Sequence, residues 1–218
     1  MTRRVMTALC VVCGAVLLVI AGLFGGVAWE NQRAEARSHE PRPVDVGFAQ
    51  DMSVHHDQAI LMAQTLSRDV ADDVRGLADR IVATQTAEAA TMRGWLDWFG
   101  EPLTSDDPMS WMHPSTHADH GSSATVDDDT APMPGYASTD DLAKLSDARG
   151  TAAEVWFLQL MIRHHQGGIE MATAAQNSDE SSPATKRLAL AMITEQGDEV
   201  GQMTLLLKAR NAEPLPAS

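Results

Sequence analysis

Five stretches of this chain are organised by their apolar residues. The first, Val5–Ala28, is apolar throughout and carries no charge. The other four, near residues 46–66, 70–98, 152–176 and 183–210, place apolar residues three and four apart, which is the spacing of one helix face. They predict four helices and an all-α domain. At about 100° per residue, Phe48, Met52, His55, His56, Ala59, Met62, Ala63 and Leu66 share one side of the first helix, with Val54, Asp57 and Thr65 opposite. In the third helix Phe157, Met161, His164, His165, Gly168, Met171 and Ala172 share a face, while Arg163, Gln166 and Glu170 point outward. The second and fourth helices carry polar residues on their apolar stripes. Gln85 and Glu88 lie with Ile81, Ala89, Met92 and Leu96; Gln196 and Glu199 lie with Met192, Val200, Met203 and Leu207.

These stripes are copies of one another. Phe48, Met52, His55, His56, Ile60, Met62 and Ala63 return as Phe157, Met161, His164, His165, Ile169, Met171 and Ala172. Gln85, Glu88, Met92 and Leu96 return as Gln196, Glu199, Met203 and Leu207. Such internal similarity predicts a four-helix bundle made of two duplicated helical hairpins, each short loop making its helices antiparallel neighbours. The punctuation places Asp45 as cap of the first helix and Ser67 or Asp69 at the start of the second. Gly100 and Pro102 stop the second helix. Thr151 with Glu154 reads as a capping box for the third helix; Ser182–Pro183 opens the fourth, and Pro214 lies past its end.

The chain accordingly divides into residues 1–29 as a transmembrane anchor or signal peptide, 30–45 as a linker, and 46–211 as the helical domain. Within the domain, hairpin 46–100 and hairpin 151–211 are separated by a Met/His-rich insertion, 101–150, in which residues 139–148 can form a short helix. The insertion has few apolar residues and is expected to be the least ordered part. Val5–Ala28 is long enough to span a bilayer and longer than a signal core of about 7–15 residues. Gly26–Ala28 also resembles a cleavage site, so anchor and cleaved signal both stand. Arg3 and Arg4 ahead of the run favour a cytoplasmic N-terminus, with Arg33, Arg37 and Arg42 after it reducing the asymmetry; as anchor or as cleaved signal, the run implies a domain outside the cytoplasm.

Charge and cysteine content narrow the chemistry. A net charge of −14 repels nucleic acid and leaves it out as a partner, while concentrating cations. Both cysteines, Cys10 and Cys13, lie in the apolar run. The helical domain therefore has no disulfide, thiolate metal site or cysteine nucleophile.

The predicted interior holds four His, two Glu, two Gln and several Met. Buried polar groups left unpaired cost about 1–3 kcal/mol each. A hydrogen-bonded core network, with each Glu orienting a His, is one solution, and Met is a good filler of irregular gaps. The other is a metal ion. Thioether with imidazole suits Cu(I) or Ag(I), making Met52, His55, His56, Met62, Met161, His164, His165 and Met171 the candidate ligands. Gln85, Glu88, Met92, Gln196, Glu199 and Met203 are supporting groups or further ligands, Glu88 and Glu199 fixing imidazole orientation. A second cluster in the insertion comprises Met109, Met112, His113, His117, His120 and Met133, with Asp119 among them. The expected cargo is a copper ion, Cu(I) favoured, with silver as an alternative. A copper donor or acceptor protein, unidentified, is an expected partner.

The segments Met52-x-x-His55-His56 with Met62-Ala63, and Phe157-Leu-Gln-Leu-Met161-Ile-Arg-His164-His165-Gln-Gly-Gly-Ile-Glu-Met171-Ala172, resemble the two signatures of the DUF305 family. The resemblance covers about residues 46–208. It implies a ferritin-like four-helix fold and, for some members, copper binding in a metallochaperone-like, periplasmic setting. Members carry Met-Pro-Gly-Met ahead of the second signature, where this chain has Met133-Pro134-Gly135-Tyr136. Three functions follow for testing: a metal-binding protein without catalysis, a metal-free structural or partner-binding bundle, and a metal-dependent oxidase. The oxidase is disfavoured because di-metal bundles use Glu-x-x-His pairs, and none occurs in this sequence.

Overall fold

Each half of the chain folds into a long antiparallel hairpin. The computed structural model describes residues 40–112 and 133–216. Helix α1 is Pro43–Thr65 and α2 is Asp72–Phe99; a 3-10 turn follows at Ser110–Met112. The short helix α3 is Thr139–Asp147, and the second hairpin pairs α4, Gly150–Asn177, with α5, Pro183–Ala209. Among the described residues all regular structure is helical. The close pairs are α1–α2, α4–α5 and α1–α4, so the two hairpins meet through their signature helices. The anchor or signal expected at residues 1–29 lies outside the described residues, as does most of the linker. Among the described residues no helix is long and apolar enough to cross a membrane.

Some helix ends differ from expectation. Gly100 ends α2 in the left-handed region (φ 73°), and Ser182 caps α5 by accepting from Thr185 N, both as the sequence predicts. Asp45, in contrast, sits inside the first turn of α1, where its carboxylate accepts from Arg42 N at 2.9 Å and from Ser182 N at 2.8 Å. Neither Ser67 nor Asp69 starts α2; they bond to each other, and Ala71 precedes the helix. Thr151 and Glu154 form no box, because Glu154 instead accepts from Ala71 N at 2.7 Å and pairs with Arg210. Glu154 and Asp69 are used to tie one hairpin to the other, and Asp45 does so while also closing the first turn of α1.

The core divides into two apolar clusters. One holds Met62, Leu77, Ile81, Phe157, Met161, Met203 and Leu207; the other holds Phe48, Met52, Met92, Leu96, Met171 and Met192. The repeat exchanges them: Phe48 corresponds to Phe157, Met52 to Met161, Met62 to Met171, Met92 to Met203 and Leu96 to Leu207. Each fully buried large side chain contributes about 1.5–3 kcal/mol, so the clusters hold both hairpins closed. Between the clusters lie His, Gln and Glu. The pseudo-two-fold axis therefore runs between His55 and His164, whose ring centroids are 3.8 Å apart, and separates Met52 from Met161.

Both described ends of the insertion are fastened to one face of α1. Asp51 Oδ2 accepts from Met109 N at 2.7 Å and from Trp111 Nε1 at 2.8 Å. Gln58 donates to Ala137 O at 2.8 Å and accepts from Ala137 N at 2.7 Å. Between these anchors, His55 bonds Pro134 O. Residues 51, 55 and 58 share a helix face by their spacing.

Candidate metal centre

The four signature histidines are buried, with His56, His164 and His165 fully inaccessible and His55 at 1%. Each pair lies one turn on from Met52 or Met161, and that i, i+3, i+4 spacing keeps both members on the inner face. Their partners differ. His56 Nε2 lies 2.7 Å from Glu88 Oε2, and His165 Nε2 lies 2.6 Å from Glu199 Oε2. Each bond stays within one hairpin, linking a signature helix to the Glu on its neighbour's stripe. His55 Nε2 donates to Pro134 O at 3.1 Å. His164, stacked on His55 with 30° between planes, has neither ring nitrogen in a hydrogen bond.

These bonds decide where the lone pairs lie. A neutral imidazole carries one N–H and one lone pair. The carbonyl of Pro134 only accepts, so His55 has its proton on Nε2 and its lone pair on Nδ1. A carboxylate at Glu88 or Glu199 imposes the same tautomer on His56 and His165. The Nδ1 atoms of all three are buried with no hydrogen-bond partner. Burial pushes His55 and His56 down to about 3, with neighbouring imidazoles adding to the effect. Burial also drives His164 well below the usual histidine range. Burial, then the charge of Glu199, raises Glu88 to about 7, so it is an acceptor carboxylate above that pH. Burial thus favours His55, His56 and His164 as neutral rings.

Gln85 and Gln196 add to the unsatisfied set: they are 1% and 3% exposed, and neither amide atom of either has a partner. Gln196 packs its amide against Gly168, where a Cβ would lie 2.4 Å from its Oε1.

The sulfur atoms flank this polar layer. Met52, Met92 and Met171 belong to one apolar cluster, joined by Met133 and Met192; Met62, Met161 and Met203 belong to the other. Met109 and Met112 pack, partly buried, against the first cluster. The candidate methionines are thus divided between two sides. His113, His117 and His120 lie outside the described residues. Among the described residues, no three His, Cys, Asp or Glu side chains come together as a metal site by themselves. Tyr136 sits over the stacked pair, its ring 6.4 Å from His55 and 6.5 Å from His164.

Several contributors escaped the sequence reading: Asp51, Gln58, the Pro134 carbonyl and Gly167. A Cβ at Gly167 would lie 2.0 Å from Pro134 O, so only glycine admits that backbone against α4. The Gly-Gly step inside a helix was the available signal.

The architecture defines a duplicated helical bundle with a histidine layer, and comparison with known proteins gives its family. Residues 45–207 match the family profile described as "Domain of unknown function (DUF305)", and the chain belongs to that family. It is similar to a DUF305 protein from Streptomyces coelicolor described as secreted: 36% identity, TM-score 0.68, covering 79% of this chain and 97% of that one. A DUF305 fragment from Deinococcus radiodurans is 31% identical, with TM-score 0.61 and coverage of 78% and 99%. CopM in its Cu(I)-bound form is 25% identical, with TM-score 0.54 and coverage of 76% and 96%. CopM in its Cu(II)-bound form is 26% identical, with TM-score 0.55 and the same coverage. A search of curated proteins found no match.

Proposed function

We propose that this domain is a binding protein for a soft metal ion, Cu(I) by preference and Ag(I) alongside it, which it captures, buffers or hands on outside the cytoplasm without catalysing a reaction. One observation carries the reading. Three buried imidazoles are held by an acceptor at Nε2 with Nδ1 unpartnered, and a fourth, His164, has no partner at either nitrogen. Ligating histidines characteristically donate their other N–H to a carboxylate or carbonyl, which fixes the ring and raises its basicity. His55, His56 and His165 have that arrangement, and their Nδ1 atoms, with His164, are the nitrogen donors. Sulfur comes from the methionines of the flanking clusters, which suit Cu(I) and Ag(I) better than harder divalent ions.

The neighbours add support: CopM has Cu(I)- and Cu(II)-bound forms, and the Streptomyces coelicolor protein is described as secreted. The apolar Val5–Ala28 run would deliver the domain across a membrane or hold it there, leaving copper to pass to or from a partner protein. A metal-free hydrogen-bonded core accounts for His56–Glu88 and His165–Glu199, but gives neither ring nitrogen of His164 a well-formed hydrogen bond.

The test is Cu(I) titration against a competing chelator with the full chain and two double variants, H55A/H164A and H56A/H165A. The reading expects each variant to lose at least about tenfold in affinity, or about 1.4 kcal/mol. Parent affinity in both variants would return the histidines to the role of core network.

A further inference from the structure

A buried layer of ligands needs a way in. The pairs α1–α2 and α4–α5 pack closely along their hairpins. The α1–α4 crossing is covered on one side by Pro134–Gly135, which touches the α4 backbone at Arg163 and Gly167 and holds His55. Helices α2 and α5 are not among the close pairs, and a cleft of about 700 Å³ opens between them. Its walls include Thr84 from α2 and Glu195, Asp198 and Glu199 from α5. Arg80, the one cation in the lining, is bonded to Gln202 and faces three carboxylates.

Glu199 connects this cleft to the interior. Its side chain is 12% exposed while its partner His165 is at 0%; Glu88 and His56 repeat the pattern at 13% and 0%. On the same two stripes, one turn away, lie Gln85 and Gln196, buried with all four amide atoms unpartnered. Buried amides of this kind need a hydrogen-bonding guest, water or a passing ion's hydration shell. Polar groups therefore run from solvent, past Glu195 and Asp198, to Glu199 and Glu88, and then to the imidazoles.

We infer that the α2–α5 cleft is the route by which a cation reaches the histidine layer, with Glu195 and Asp198 gathering it at the mouth and Glu199 and Glu88 passing it inward. The inference rests on the metal-binding reading and extends it to a path. An acidic cleft with low-dielectric walls raises the local concentration of cations and their rate of association.

The experiment follows Ag(I) transfer between a chromogenic chelator and the full chain by stopped flow. Ala191 is exposed and lines the cleft, so Ala191→Trp plugs it without touching the core. Thr173→Trp, exposed on α4, is the control. The route predicts that Ala191→Trp slows both capture and release about tenfold at unchanged equilibrium affinity, while Thr173→Trp does neither. A second variant, E195Q/D198N, is expected to slow capture several-fold at low salt and to converge on the parent at high salt, since exposed charges are screened. Capture by both cleft variants at the parent rate, with affinity intact, overturns the route and leaves the metal-binding reading standing. Absence of Ag(I) binding by the parent overturns that reading, and the route with it.

Discussion

Pro134 and Gly167 make a backbone-on-backbone contact: a Cβ at position 167 would stand 2.0 Å from the Pro134 carbonyl oxygen. That same oxygen accepts from His55 Nε2. A glycine on α4 thus sets the tautomer of a histidine on α1. Gly167→Ala is expected to push the Met133–Gly135 segment away, costing about 1–3 kcal/mol, as overpacking does. Urea unfolding gives the cost, and amide exchange at Gly135 and Tyr136 should accelerate. Parent-like stability and exchange would mean that this contact is not maintained in solution.

Glu88 and Glu199 are expected to matter for ligand strength more than for folding. Replacing both with Gln keeps the shape but provides a weaker acceptor, able to turn its amide N–H toward the ring. Loss of such supporting partners lowers metal affinity by about 10–100-fold. Cu(I) competition titration of E88Q/E199Q checks this; undiminished affinity would make the two pairs purely structural.

The metal-free domain should lose stability in acid, and the sign follows from the histidines. His55 and His56 titrate near 3 when folded and near 6.5 when unfolded, and His164 is also lowered by burial. Below 6.5 the unfolded chain binds protons that the folded chain refuses. Each ring then removes up to about 1.4 kcal/mol per pH unit as pH falls toward its folded value. Glu88 works in the opposite direction, because its folded value of about 7 exceeds the ordinary 4.5, so its protonation stabilises the fold as pH falls between them. Three fully buried rings outweigh the raised carboxyls of Glu88, Asp51 and Glu195. Urea midpoints for the metal-free protein should decline from pH 6.5 downward; a midpoint that holds steady to pH 4 would contradict the buried neutral rings.

The sulfur clusters invite a volume-conserving exchange. M52L/M62L/M161L/M171L changes two residues in each apolar cluster, and each Met-to-Leu swap typically costs less than about 1.5 kcal/mol. Helical circular dichroism should persist while Cu(I) affinity falls. Undiminished affinity would identify these methionines as core filler.

The fold was legible because the repeat is written in periodic positions: Phe48 with Phe157, Met52 with Met161 and Gln85 with Gln196 mark equivalent faces. The inward orientation of both histidine pairs and the alignment of Glu88 and Glu199 with them followed from the same periodicity. Helix ends were less legible. Asp45 and Glu154 have the chemistry of local caps, but their carboxylates reach Ser182 and Ala71 in other segments. A helical wheel gives the direction of a side chain and not its depth or its partner across the bundle. It therefore put both histidine pairs on inner faces without showing that His55 and His164 are the rings that meet. Asp51 and Gln58 were missed for the same reason, since a polar residue at the edge of an apolar stripe looks solvated until the returning loop is in place.

The most direct test of the account is an anomalous difference map from a crystal of the domain grown without metal and soaked with Cu(I) under reducing, anaerobic conditions. The account predicts a copper peak bonded to His164 or to the Nδ1 atom of His55, His56 or His165, with a methionine sulfur among its ligands. Copper confined to the surface, with the His164 nitrogens still unligated, would contradict it.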